Sequence, residues 1–227
     1  MKKNYLLLVF LLLFFKGYTQ QLRQVTFSSG SNFSWFTLST NQNVLIRMAD
    51  DGRILEFGSE EQALNNRNYF AQKLRPFEGR VEYYSNNSDS AFRGKIKSIG
   101  TCYFTYFPSY DYPDKAGKIK SAGSLLFDYY RKFDDALIAG KIKNIGSDEI
   151  AYYSSFENDE VLKGKLKRVG RTPIVYYSSF DDRSIKGKIK SIGSAQFAWY
   201  SSFERAAGSM KLGLRRQPVD GVTYILE

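Results

Sequence analysis

One phrase of about 23 residues is written five times along this chain, and such internal periodicity constrains the fold more than local propensity does. Each copy opens with a glycine and a lysine-rich run, as in GKIKSIG from residue 94 to residue 100. The opening glycines stand 23, 23, 24 and 23 residues apart, at Gly94, Gly117, Gly140, Gly164 and Gly187. An aromatic phrase follows in every unit, from FTYFPSY in the first to FAWYSSF in the fifth. The chain is therefore expected to be an array of similar structural units.

Each unit contains two short runs of alternating character, rich in Ile, Tyr and Phe and bounded by glycine. This pattern is typical of β-hairpins and not of helices. It predicts an all-β fold in which tandem β-hairpin repeats form an elongated, twisted antiparallel sheet with one short helical insertion. A β-propeller is the alternative architecture, because two units would supply the four strands of one blade.

Strand parity predicts which side chains form the core. A three-residue turn at residues 100–102 would place Ile96 opposite Tyr106, so that apolar residues share one face and the lysines share the other. A two-residue turn would instead pair Lys97 with Phe104. The shorter turn is therefore not expected. The predicted core residues are Ile96, Phe104 and Tyr106 and their equivalents Ile119, Phe127, Tyr129, Ile142, Ile150, Tyr152, Leu166, Ile174, Tyr176, Ile189, Phe197 and Trp199.

The repeat also divides the chain into segments. Residues 1–20 read as a signal peptide, 21–51 as N-terminal capping strands, 52–93 as a degenerate repeat, 94–207 as five hairpin repeats, and 208–227 as a degenerate C-terminal capping repeat. Residues 52–93 include an insertion that starts with a capping-box pattern at Ser59, and this pattern predicts a helix over about 59–74.

The first segment has the layout of a secretory signal peptide, with a basic start, an apolar run from Tyr5 to Phe15 and a short polar exit. An uncleaved anchor helix is the alternative, although this run is shorter than the roughly 20 residues that span a bilayer. We expect an exported chain that is periplasmic, associated with the outer membrane or secreted, without a transmembrane span after signal removal. The single cysteine, Cys102, is far from the apolar run, so a lipoprotein is not expected.

Ten lysines form two regular columns, one at the second and one at the fourth position of each unit. The first column is Lys95, Lys118, Lys141, Lys165 and Lys188, and the second is Lys97, Lys120, Lys143, Lys167 and Lys190. Equivalent lysines two strands apart stand about 10 Å from each other. They are interpreted either as a solvated, solubilising face or as a site for an anionic polymer such as lipopolysaccharide, an acidic polysaccharide or extracellular DNA. No specific nucleic-acid motif accompanies them.

A set of aromatic residues occupies the same register as the lysines and is predicted to point outward. The set is Tyr130, Tyr153, Tyr177 and Tyr200. Such side chains either stack on sugars or bases or pack against the next unit. Stacking on sugars would make the chain a lectin-like carbohydrate-binding array, which is the alternative to a binding or scaffold module for an anionic polymer, a membrane surface or another envelope protein.

Catalysis is not expected. The sequence contains no histidine, so it offers no imidazole base and no histidine metal ligand. Paired acids such as Asp181 and Asp182 lie in the return connections, where Asp favours turns, and their spacing matches no known calcium loop. Neither a metal nor another cofactor is predicted. Cys102 occupies a variable turn position and is interpreted as incidental.

The glycine-opened, tyrosine-rich unit of about 23 residues resembles membrane occupation and recognition nexus (MORN) repeats and related hairpin repeats in secreted bacterial proteins. The resemblance covers about three quarters of the chain that follows the signal peptide. It implies an elongated, single-layer antiparallel sheet used for scaffolding or membrane association.

Overall fold

A computed structural model describes residues 20–60 and 73–227. These residues form strands and turns and no helix, so the fold is all-β, as predicted. The strands form two large sheets and one short two-stranded ribbon. The signal peptide and most of the helix expected over about 59–74 lie outside the described residues.

The first sheet has seven strands, in the order β19-β20-β1-β2-β3-β4-β5. Its strands are β1 (Gln21–Ser28), β2 (Asn32–Ser39), β3 (Leu45–Met48), β4 (Ile54–Ser59), β5 (Arg75–Pro76), β19 (Arg216–Val219) and β20 (Val222–Leu226). The final strand β20 pairs in parallel with β1, and the remaining neighbours are antiparallel. The first and last strands of the described residues therefore lie side by side in one sheet.

The second sheet has eleven antiparallel strands and is called the repeat sheet here. Its strands are β6 (Val81–Tyr83), β7 (Ile96–Ile99), β8 (Cys102–Tyr106), β9 (Ile119–Ala122), β10 (Leu125–Tyr129), β11 (Ile142–Ile145), β12 (Asp148–Tyr152), β13 (Leu166–Val169), β14 (Thr172–Tyr176), β15 (Ile189–Ile192) and β16 (Ala195–Gln196). The ribbon of β17 (Ala198–Trp199) and β18 (Met210–Leu212) follows it in the chain. One continuous sheet of hairpins replaces the separate blades that a β-propeller would need.

The hairpin turn differs from the predicted one. Ile99 pairs with Cys102, so only Gly100 and Thr101 form the turn, and the three-residue turn is wrong. Gly100 has a φ of 57°, as the first central residue of a type II′ turn requires. The shorter turn is possible because a β-bulge lies where each unit joins the next, with the register shifting between Thr105 and Tyr106. The extra residue restores the parity of the apolar side chains.

The predicted core is confirmed apart from one partly exposed member. Ile142, Ile150 and Tyr152 are buried on one side of the sheet, as are their equivalents in the other units, while Ile96 in the first unit is only partly buried. The prediction did not include the fourth residue of the first strand in each unit, which is also apolar. These residues are also buried, and they are Ile99, Ala122, Ile145, Val169 and Ile192.

A second layer covers this apolar face. Residues of the seven-stranded sheet and the repeat sheet share one core cluster, so the single layer expected from the resemblance is wrong. Backbone contacts join the layers at two turns, because the amide of Ile142 donates to the carbonyl of Asp50 and the amide of Ile189 donates to that of Gly30. Close packing adds to this, since a Cβ on Gly30 would lie 1.9 Å from the Trp199 ring. The opening phrase of the degenerate repeat, GRILEFG, contributes β4 to this second layer.

Replacing Ile142 with alanine is expected to lower the free energy of unfolding by about 2–5 kcal/mol, because the side chain is fully buried between the layers. The matched control is Leu126→Ala, on the outer face of the same sheet, where the side chain is 63% exposed and the expected change is below about 0.5 kcal/mol. Denaturant unfolding of both variants measures the difference. Equal losses would contradict the assignment of the buried face.

Candidate functional site

The first lysine column lies at the junction of the two layers. The Lys118 ammonium donates to the carbonyl of Asp51 at 3.1 Å, and the Lys165 ammonium donates to that of Ser31 at 3.0 Å. Lys188 reaches the Ser29 carbonyl at 2.9 Å. Burial lowers the pKa of these three lysines below the ordinary value. The expectation that this column faces water is therefore wrong for these three members, because their ammonium groups connect the repeat sheet to turns of the second layer.

The other members of this column make comparable contacts. The Lys141 ammonium lies 3.0 Å from an Asp50 carboxylate oxygen, and Lys95 donates to the carbonyl of Gly117 in the next unit. Every ammonium of the column also lies 4.5 to 5.4 Å from the centre of the buried Tyr or Trp ring of its own unit. Cation–π attraction of this kind favours lysine at a site where full hydration is not available.

The second lysine column consists of the extra residues of the β-bulges. Tyr129 pairs with Ile142 while Asp128 pairs with Asn144, which leaves Lys143 unpaired in the ladder. The bulge takes the lysine out of the regular alternation of the strand, and its ammonium lies 5.5 Å from the Tyr130 ring centre. The equivalent lysines make the same contact with the preceding unit. They are Lys120, Lys167, Lys190 and Lys211.

Members of the second column differ in their charge partners. Lys167 pairs with Glu157 at 3.1 Å, and Lys97 lies 3.5 Å from Glu82. Lys120, Lys143 and Lys190 have no carboxylate within ion-pair distance among residues 20–60 and 73–227. These three lysines of the second column remain available to an external anion.

The tyrosines predicted to point outward pack against the next unit. The Tyr130 hydroxyl donates to the carbonyl of Ile150, and the Tyr153 hydroxyl donates to that of Ile174, over 2.9 and 3.2 Å. Tyr177 makes the equivalent bond to Phe197. Tyr200 is half-buried and carries Lys211 over its ring. Packing against the next unit was one of the two interpretations, and this packing limits any stacking of Tyr130, Tyr153 and Tyr177 on a ligand.

A different set of aromatic residues is exposed, and it is called the aromatic ridge here. Its members are Tyr110, Phe133, Phe156, Phe180 and Phe203. Their exposed fractions lie between 72% and 96%, although apolar rings of this size are normally buried. Each fills the last position of the aromatic phrase in its unit, so the ridge repeats once every two strands, or about every 10 Å. The signal in the sequence was an aromatic residue in all five units at a turn position.

The loops that carry the ridge are fixed by aspartates of the preceding unit. Asp135 accepts a hydrogen bond from the amide of Ser155 at 2.7 Å, and Asp159 accepts one from the amide of Ser179 at 2.8 Å. Each of these serines directly precedes a ridge phenylalanine. These hydrogen bonds from backbone amides lower the pKa of both carboxyl groups. The acids are thus turn-forming, as expected, and they also set the position of each ridge residue relative to its neighbour.

Some of the charged groups beside the ridge form ion pairs. A carboxylate follows each ridge aromatic in the sequence, and two of these acids bind lysines. Glu157 pairs with Lys167 of the second column, and Glu204 lies 2.6 Å from Lys211, the equivalent residue of the degenerate final unit. The Arg131 guanidinium lies 3.4 Å from the ring centre of Tyr112 and 4.3 Å from that of Phe133. The surface is therefore a row of apolar rings bordered by paired charges and by the lysines that remain free.

Other site chemistry is sparse in the described part of the chain. No group of three or more Cys, Asp or Glu side chains there is arranged to hold a metal ion. Cys102 is buried, and burial raises the pKa of its thiol to about 11, so the reactive thiolate is not formed near neutral pH. Residues 20–60 and 73–227 also contain no helix long and apolar enough to cross a bilayer.

Comparison of the chain with models of protein families, with curated proteins and with solved structures finds no match.

The aspartate contacts predict acid-sensitive stability. Asp159 has a folded-state pKa below its unfolded value of about 3.9, so its contribution is present above about pH 4 and is lost as the pH falls through the folded-state pKa. Asp159→Asn should lower the melting temperature at pH 7, and the difference from wild type should shrink below about pH 4.

Thermal unfolding between pH 7 and pH 2.5 tests this, with Glu160→Gln as the control, because Glu160 lies in the same loop and its side chain is 81% exposed. If the melting temperature of Asp159→Asn stays below that of wild type by the same amount at every pH, the role of the carboxylate charge is contradicted.

Proposed function

We propose that this protein is a non-catalytic binding module of the cell envelope whose ligand is an extended glycan bound along the aromatic ridge. The observation that carries the proposal is the row of exposed rings, one in every unit. Exposed phenylalanines have an unfavourable contact with water, so a repeated row of them indicates a surface that is covered by a partner. The lectin-like alternative is therefore favoured. Its contact residues are those of the aromatic ridge and not the tyrosines that the sequence predicted.

The spacing supports a polymer of sugars. Consecutive ridge residues are about 10 Å apart, which is close to the length of one disaccharide in an extended β-1,4-linked glycan. In such a chain alternate sugars present the same C–H face, so one face could rest on each ring without bending the polymer. The aspartate contacts hold the loops in place before the ligand arrives, which lowers the entropy cost of binding.

A second candidate is an anionic polymer, such as an acidic polysaccharide or lipopolysaccharide. The observation that favours it is a set of three second-column lysines that have no carboxylate partner among the described residues. They are Lys120, Lys143 and Lys190. First-column lysines contribute less to this candidate because their ammonium groups are used between the layers.

Cellular location and family remain part of the proposal. The N-terminal sequence favours export to the periplasm, the outer membrane or the medium. The repeat continues to resemble MORN units in period and residue type, which fits a binding or scaffold role. Enzyme activity is not proposed.

Removing ridge rings should weaken glycan binding. Phe156→Ala and Phe180→Ala are each expected to lower affinity for soluble β-1,4-linked hexasaccharides of glucose or N-acetylglucosamine roughly three- to tenfold, or about 0.7–1.4 kcal/mol. Leu126→Ala serves as the control, since it removes an exposed apolar side chain away from the ridge. Isothermal titration calorimetry measures the affinities. Unchanged binding by the Phe156→Ala, Phe180→Ala double variant would refute the ridge as the site.

Salt dependence separates the two candidates. If an anionic polymer is the ligand, the triple change of Lys120, Lys143 and Lys190 to Gln should lower heparin affinity and reduce the steepness of its salt dependence, because fewer counterions are released. The matched control changes Lys118, Lys141 and Lys165 to Gln, which should affect the melting temperature more than heparin retention. Salt-independent retention of both variants would exclude the anionic polymer.

A further inference from the structure

Within residues 20–60 and 73–227, two strands of the repeat array have a partner on one edge only. Strand β6 lies at one end of the repeat sheet and pairs only with β7. Strand β18 follows the last unit and pairs only with β17. In the part of the chain that the structure describes, no strand pairs with the other edge of either.

The two open strands are of different kinds. Tyr83 of β6 pairs with Ile96 as Tyr106 pairs with Ile119, so β6 is the second strand of a unit whose first strand is missing. Met210 of β18 pairs with Trp199 as Ile189 pairs with Tyr176, so β18 is the first strand of a unit whose second strand is missing. The array therefore begins with half of a hairpin and ends with the other half.

The edges of the seven-stranded sheet differ from these ends. Its edge strands β5 and β19 each contain a proline, Pro76 and Pro218. Proline cannot donate a ladder hydrogen bond, and natural sheets use it on edges to prevent pairing with another chain. Strands β6 and β18 contain no proline, so this form of protection is present in one layer and absent from the other.

Apolar side chains accompany the open edges. Leu212 and Leu214 are 60% and 62% exposed at the β18 end, and Tyr83 is 58% exposed at the β6 end. Charged side chains also flank both edges, with Glu78 and Arg80 just before β6 and Lys211 and Arg215 in and after β18. These features suit a partner that brings both a strand and an apolar surface.

We infer that the partner is a second copy of this chain, with β18 of one copy pairing antiparallel with β6 of the next. The pair would reproduce the hairpin contact of a normal unit, in which Ser98 faces Tyr103 and Ile99 faces Cys102. By position in the unit, Leu212 then lies opposite Arg80 of the next copy and Gly213 lies opposite its Gly79. The contact is head-to-tail, so its repetition without closure into a ring builds a linear filament. The aromatic ridge continues across each junction.

Cysteine cross-linking tests the register. Directly opposed residues have Cβ atoms about 5 Å apart, within reach of a disulfide after small adjustment. A chain with both Leu212→Cys and Arg80→Cys should give a ladder of disulfide-linked oligomers on mild oxidation, and a mixture of the two single variants should stop at dimers. Each single variant alone should stay monomeric on a non-reducing gel. Single variants that cross-link as readily as the double variant would overturn the proposed pairing.

Sedimentation velocity across a concentration series tests the association without cysteines. The wild-type protein should sediment faster as its concentration rises, and Leu212→Lys should weaken this self-association at least tenfold. Leu126→Lys is the matched control, because Leu126 is equally exposed but lies in the middle of the array. A wild-type protein that remains monomeric at every concentration, or equal effects of the two variants, would refute the proposal. Glycan binding by a monomer would leave the proposed function intact.

Discussion

The β-bulge at each junction between units is the feature on which the rest of the repeat sheet depends. Without it, the two-residue turn would bring a lysine to the apolar face, since side chains alternate strictly along a regular strand. The extra residue lets the isoleucine four places before the turn share the core with the apolar residue directly before the turn, as Ile142 does with Ile145. The same residue becomes the lysine of the second column. Core formation and the orientation of that column thus have one cause.

Much of this fold could be predicted from residue type and period. Fifteen core positions followed from alternation together with the requirement that apolar side chains share one face, and fourteen are buried, because burial depends on which face a side chain takes and not on how the turn achieves it. The turn length was wrong because parity admits two solutions, an odd turn or an even turn with a bulge. A glycine such as Gly100 fits both, so no single residue in the unit distinguishes them.

The site was harder to predict than the core. A lysine beside a tyrosine has the same pattern whether it faces water or a second layer, and the second layer is built from residues far away in sequence, such as Ser29 and Asp51. Nothing in the unit shows that this layer exists. The ridge could have been found, because Phe180 and its equivalents recur in loops where no packing requires an aromatic ring. The alternation of the strands instead predicted Tyr177 and its equivalents as the exposed aromatic residues. In the structure the Tyr177 hydroxyl donates a hydrogen bond to the next unit.

The contacts of the first lysine column also determine how many units the protein can have. In ordinary repeat arrays each unit touches only its neighbours, so units are gained and lost without penalty elsewhere. Here the β3–β4 turn is tied to the second and third units through Lys118 and Lys141, and the β1–β2 turn is tied to the fourth and fifth through Lys165 and Lys188. The distance between these two turns is set by the second layer, and it has to match the distance between the units that they contact. A duplicated or deleted unit between these ties would displace one turn from its lysines, so we expect the array to evolve by substitution within units and not by change in their number.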